Sequence, residues 1–250
     1  MLKLIPSLAL ALMVAPMSVF AQNVTEWSSE QRTQLSFVVN PTTLAGLLPA
    51  GWVSVPSTSP ATPGVNLNLT LMERVNVTDP QGKPLRTGTS RYFVLGVPAR
   101  NSATGQTNTV IIGGMSPEGA GAYGVYVTAS TATVERTVKG DGEAFARVDE
   151  HWQFAAASGE KVDLSLTYRR GPATRAKVES VVRSGRTPEF QRTYRIDQAT
   201  DVVRSANATD RVERLSFSAT GGTFSKVFDG TQILVGVTAI PYYVRDISIP

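Results

Sequence analysis

The chain has 250 residues, a formal net charge of +4, a single histidine and no cysteine. The missing cysteines exclude disulfides, thiolate metal sites and cysteine nucleophiles. The basic residues between Arg136 and Arg214 are scattered among acids without a block of like charge, so nothing marks a nucleic-acid surface.

Taken from the N-terminus, Lys3 precedes an apolar run from Leu4 to Val14, and Val19-x-Ala21 supplies a small-residue cleavage pattern. This reads as a secretory signal peptide over 1–21, with the mature protein beginning near Gln22. The apolar run is shorter than the ~20 residues a spanning helix needs. Gln22, not cysteine, follows the cleavage point, so the expected product is periplasmic or secreted, with no membrane anchor after cleavage.

Residues 22–250 read as a single β domain, large enough to bury a hydrophobic core. Val65–Leu71 and Val162–Tyr168 alternate apolar and polar residues at period two, the mark of a half-buried strand. Further strands are expected at Thr33–Val39, Arg91–Val97, Asn108–Ile112, Tyr123–Ala129, Thr133–Val138, His151–Ala156, Ala176–Arg183, Phe190–Ile196, Arg211–Ser218, Thr223–Phe228, Ile233–Val237 and Tyr242–Ile249. Asp79-Pro80-Gln81-Gly82 predicts a type I turn joining Val65–Thr78 to Leu85–Val97. Asn40, followed by Pro41 and paired leucines, predicts a short helix ending before Pro49. The fold class is therefore all-β with one or two short helices, arranged as an antiparallel barrel, a cone-shaped barrel or a sandwich.

The chemical motifs are sparse. Gly119–Gly124 matches a dinucleotide-binding glycine pattern, but a strand pattern follows where that motif needs a helix, so no nucleotide cofactor is expected. The segment reads instead as a glycine-rich loop able to border a pocket. His151 is the natural general base, yet it alternates with Trp152 and Phe154, which puts it on the surface unless a polar lumen reverses the two faces. One histidine and no cysteine leave no set for structural zinc. No Gly-x-Ser-x-Gly occurs, and Ser158-x-x-Lys161 falls in a predicted turn. Glu73 follows the apolar positions of its strand, so it either points inward with Arg91 as partner or leaves the core at a bulge.

In order and motif, Ser36–Tyr168 resembles the acetoacetate decarboxylase-like superfamily. The resemblance rests on Leu47-Leu48-Pro49-Ala50-Gly51-Trp52 after a short helix, the Gly88–Pro98 strand, and Tyr123–Ala129 followed by Gly142-Glu143. It implies a cone-shaped β-barrel around a hydrophobic pocket. It also implies a Schiff-base lysine just beyond the Gly-Glu segment, where this chain reads Ala144–His151 without a lysine. Arginine stays protonated and cannot replace a lysine nucleophile.

Two functions follow as expectations. One is binding of a small apolar or keto-acid-like organic molecule, with Arg91, Tyr92, Tyr123 and Tyr126 as the ligand-binding set. The other is lyase, isomerase or hydrolase chemistry using Glu73, Glu150 and His151 as acid and base. A structural envelope protein without ligand is the remaining alternative.

Overall fold

The computed structural model describes residues 23–140 and 145–249; the expected leader and Gly142-Glu143 lie outside them. In chain order the elements are β1 (Asn23–Val38), α1 (Pro41–Ala45), β2 (Trp52–Ser54), β3 (Leu67–Thr78), β4 (Ser90–Asn101), β5 (Thr107–Ser116), β6 (Tyr126–Lys139) and β7 (Arg147–Ala156). They continue with β8 (Lys161–Arg169), β9 (Thr174–Ser184), β10 (Gln191–Arg204), β11 (Val212–Thr220), α2 (Gly222–Val227) and β12 (Ile233–Ile249). Neither helix is long and apolar enough to cross a membrane.

The strands form one twelve-stranded sheet in which β5, β9, β10, β12, β1, β3 and β4 curl into a ring, because β4 also pairs with β5. The seam is narrow: β5 meets β9 in parallel only at Thr109–Ile111 against Val182–Ser184. β6 also runs parallel to β5, so the sheet is mixed, and the remaining ladders are antiparallel. From β6 the sheet folds over through β7, β8 and β11 and covers one flank of the ring.

The hydrophobic core lies between that flank and the covering layer. Phe93 on the ring meets Phe154 of β7 with centroids 5.0 Å apart and Phe224 of α2 at 5.4 Å, and Phe37 meets Phe217 of β11 at 5.4 Å. Trp152 is wholly buried, stacks on Phe154 and donates its indole N–H to Glu150 at 2.9 Å. Trp152→Ala is expected to cost about 3–5 kcal/mol of stability in denaturant unfolding, through lost burial and a large cavity.

Asn40 caps α1 through its side chain, with Pro41 in the first turn, as the sequence predicts. The Asp79–Gly82 turn forms, with Gly82 N–H donating to the Asp79 carbonyl at 3.0 Å. The second hairpin strand nevertheless begins at Ser90, because Leu85–Gly88 makes a further turn with Arg86 at φ 54°. Two pairs of expected strands are single strands. β6 runs through Ser130–Ala132 with a register shift against β7, and β12 runs through Pro241. Proline is tolerated in this central strand because both neighbouring ladders shift register there, so the ladder does not need its missing N–H.

Thr223–Phe228, expected as a strand, is instead largely the helix α2. Gly221 enters it at φ 81°, Phe228 N–H returns to the Phe224 carbonyl at 2.8 Å, and a three-residue spacing buries Phe224 and Val227 on the core. Packing of that face overrides the local β propensity.

Candidate functional site: a tyrosine and arginine junction inside the ring

On the covered flank the ring strands send one face to the core and the other into the ring. On β3, Leu69 and Leu71 are buried in the core while Thr70 and Met72 face the lumen; on β4, Phe93 and Leu95 alternate with Tyr92 and Val94. The lumen is a cavity of about 410 Å³. A second cavity of about 390 Å³ lies at one end, between Arg74, Glu118 and Arg192 and the turn leading into β6. Tyr92, Tyr123, Tyr126, Tyr194 and Arg245 line both cavities and so form the junction between them.

An ion cluster fixes this junction. Arg245 approaches Glu30 Oε1 at 2.9 Å, donates through Nε to Ser28 at 3.1 Å and through Nη2 to the Tyr92 hydroxyl at 3.0 Å, and lies 4.8 Å from the Tyr194 ring centre. Arg32 grips Glu30 Oε2 through Nε at 2.7 Å and Nη2 at 2.6 Å, and stacks on Tyr243 at 3.4 Å. Burial by itself would raise the Glu30 carboxyl; the Arg245 and Arg32 charges and the Ser28 hydroxyl outweigh it and hold Glu30 below the usual carboxylate range.

Burial pushes the Tyr123 and Tyr126 phenols well above their ordinary value, so both stay protonated at neutral pH. The Tyr123 and Tyr194 hydroxyls are hydrogen-bonded to each other. Arg74 is consumed by Glu26 at 3.2 Å, Glu118 at 3.0 Å and Ser90 at 2.6 Å. Arg192 differs: among the described residues its buried Nε has no hydrogen-bond partner and no carboxylate pairs with it. Its charge still acts at the Tyr123 and Tyr126 phenols, where it opposes the effect of burial. A guanidinium without a counter-ion, beside protonated phenols, has the chemistry to accept an oxyanion.

The glycine-rich segment forms the turn between β5 and β6. Gly121 sits at φ +65°, and a Cβ there would lie 2.1 Å from the Tyr126 ring. Gly121→Ala is expected to push Tyr126 out of the junction, visible as a changed near-ultraviolet tyrosine dichroism and weaker ligand binding.

Of the residues singled out from sequence, Tyr92, Tyr123 and Tyr126 come together, with Tyr126 centred 6.3 Å from Tyr92 and 6.4 Å from Tyr123. Glu73 and Arg91 do pair, at 3.1 Å across the β3–β4 ladder, but on the wall's other face. There Arg136 bridges Glu73 at 2.8 Å to Glu150 at 3.0 Å. Glu150 also accepts from Thr33 at 2.6 Å and Trp152 at 2.9 Å, which makes it a structural acceptor between the layers. His151 stands on the outer face of β7, 3.1 Å from Asp163 with its side chain 38% exposed. None of Glu73, Arg91, Glu150 and His151 lines the lumen or the cavity at its end.

Glu30, Arg192, Tyr194 and Arg245 were missed from sequence. Their signal is an alternation that places charge on the same side as apolar or aromatic residues: Arg192, Tyr194 and Ile196, or Tyr243, Arg245 and Ile247. Lys83, Lys139, Lys161, Lys177 and Lys226 are all exposed, and none lines the lumen or the cavity at its end.

A ring of strands around a lumen, flanked by a covering sheet, defines a class of β proteins with an internal cavity. No family model and no curated protein matches the sequence. Solved structures do match. The enduracididine biosynthesis enzyme MppR complexed with pyruvate aligns at a TM-score of 0.55 and 10% identity, over 98% of this chain and 96% of that one. An acetoacetate decarboxylase-like enzyme from Sphingomonas wittichii RW1 aligns at 0.53 and 12% identity, over 97% and 99%. Acetoacetate decarboxylase from Legionella pneumophila aligns at 0.50 and 10% identity, over 98% of each chain. The fold is that of the acetoacetate decarboxylase-like proteins.

Proposed function

We propose that this chain is exported, loses a leader ending at Ala21, and binds a small organic anion non-covalently inside its ring. The carboxylate sits at Arg192 among the phenols of Tyr123, Tyr126 and Tyr194, and the body of the ligand lies along the lumen. The observation that carries this reading is Arg192, a part-buried cation with no anionic partner among the described residues, lining the cavity at the end of the lumen beside the tyrosine junction. Val94, Ile111, Val182 and Ile196 supply an apolar wall for the rest of the molecule. MppR, solved with pyruvate bound, lends support as a protein of the same fold that holds a keto acid.

Exposed lysines argue for binding over Schiff-base chemistry, since an exposed lysine at neutral pH remains protonated and poorly nucleophilic. Native mass spectrometry of the freshly purified mature chain is expected to show a co-purified organic acid that is lost on mild activation. Borohydride reduction with pyruvate is expected to leave the protein mass unchanged. A trapped adduct on any lysine would overturn the non-covalent reading, and a clean apo spectrum with no uptake of added keto acid would overturn binding.

A further inference from the structure

The interior that holds Arg192 carries more positive than negative side chains. Arg74, Arg86, Arg192 and Arg245 line the cavity at the end of the lumen, and Glu26 and Glu118 are the carboxylates that line it with them. Arg74 holds Glu26 at 3.2 Å and Glu118 at 3.0 Å, and Arg86 also pairs with Glu118, so these four charges balance. Behind them Arg245 and Arg32 share a single carboxylate, Glu30. Arg192 has no carboxylate among the described residues. Five guanidinium groups therefore meet three carboxylates, an excess of two positive charges.

The phenols do not supply the missing negative charge, because burial keeps Tyr123, Tyr126 and Tyr243 protonated at neutral pH. Uncompensated charge inside a protein is costly, so a ligand with two negative charges gains more from this interior than a ligand with one.

The two places where charge is in excess are neighbours. Arg192, Tyr194 and Ile196 share a face of β10, and Arg245 of β12 is the ladder partner of Ile196. The Arg245 guanidinium meets the Tyr194 ring at 4.8 Å from its centre, so one tyrosine stands between the two arginines. Both charges act at the Tyr126 phenol, where each opposes the effect of burial. Arg245 donates through Nε to Ser28 and through Nη2 to Tyr92, while its Nη1 makes no hydrogen bond to a described residue.

We infer that the ligand is a dianion, a short dicarboxylic acid with one carboxylate at Arg192 and the other at Arg245, where the end cavity opens into the lumen. This rests on the reading of Arg192 as a carboxylate receptor and adds a second receptor beside it. A monocarboxylate such as pyruvate would answer one of the two charges and leave the other.

Calorimetric titration of the mature chain with pyruvate and with succinate, glutarate and adipate, each diacid against its monoamide, tests this. The amide keeps the shape of the molecule and removes one charge. For at least one of the three lengths the diacid is expected to bind about tenfold more tightly than its monoamide, as one further charge-assisted hydrogen bond provides. A crystal soaked with that diacid is expected to show its second carboxylate within hydrogen-bonding distance of Arg245. Monoamides that bind as tightly as their diacids at every length, or a second carboxylate placed away from Arg245, overturn the inference and leave the Arg192 site standing. Failure of every acid to bind, pyruvate included, overturns the Arg192 site itself.

Discussion

Glu30→Gln is expected to lower the unfolding free energy by about 3–5 kcal/mol, because it removes one member of a buried charge cluster and leaves the others uncompensated. Glu30 is 2% exposed and holds both Arg245 and Arg32. Glutamine keeps the shape and some hydrogen bonding but not the charge, so two guanidinium groups remain in the ring with no carboxylate between them. The same residue sets a pH limb. Its folded carboxyl lies below the ordinary range, so its contribution is complete above the unfolded pKa and disappears as pH falls through that range toward the folded value. Urea unfolding as a function of pH should therefore show an acid loss of stability in the unaltered chain and a flatter acid limb in Glu30→Gln. A variant within 1 kcal/mol of the parent, with the same acid limb, would contradict this account.

The second large effect is on binding. Arg192→Gln is expected to weaken carboxylate binding about 30-fold or more, equivalent to ~2 kcal/mol for loss of a charged hydrogen-bonding partner. Its melting temperature should barely move, since no ion pair among the described residues is broken. The contrast with Glu30→Gln is the informative part. Glu30 supports the ring, whereas Arg192 is the proposed receptor for the ligand. Arg91→Gln serves as the control: Arg91 pairs with Glu73 on the outer side of the wall and should leave affinity intact.

The fold was readable wherever one strand face was apolar. Val65–Leu71 and Val162–Tyr168 alternate because one side packs into a dry core, and both are strands. Reading failed where bulges interrupt the alternation, at Ser130–Ala132 and Pro241, and where α2 buries Phe224 and Val227 through tertiary packing against a β-rich local sequence.

The sequence singled out Tyr92, Tyr123 and Tyr126, which the structure brings together, and not the charged groups beside them. Arg192 and Arg245 share a strand face with Tyr194, Ile196, Tyr243 and Ile247, and only closure of the ring turns that face inward. Glu73 and Arg91 were found as a pair because hairpin register depends on local sequence. Which side of the wall they occupy depends on strands far away in the chain. His151 kept the surface position that its aromatic neighbours imply.

The most direct test of the central claim is a crystal structure of the mature chain soaked with pyruvate. The account predicts the carboxylate within hydrogen-bonding distance of the Arg192 guanidinium, with the Glu30 cluster undisturbed. Density for the acid away from Arg192 only, or an empty Arg192 cavity at saturating ligand, would contradict it.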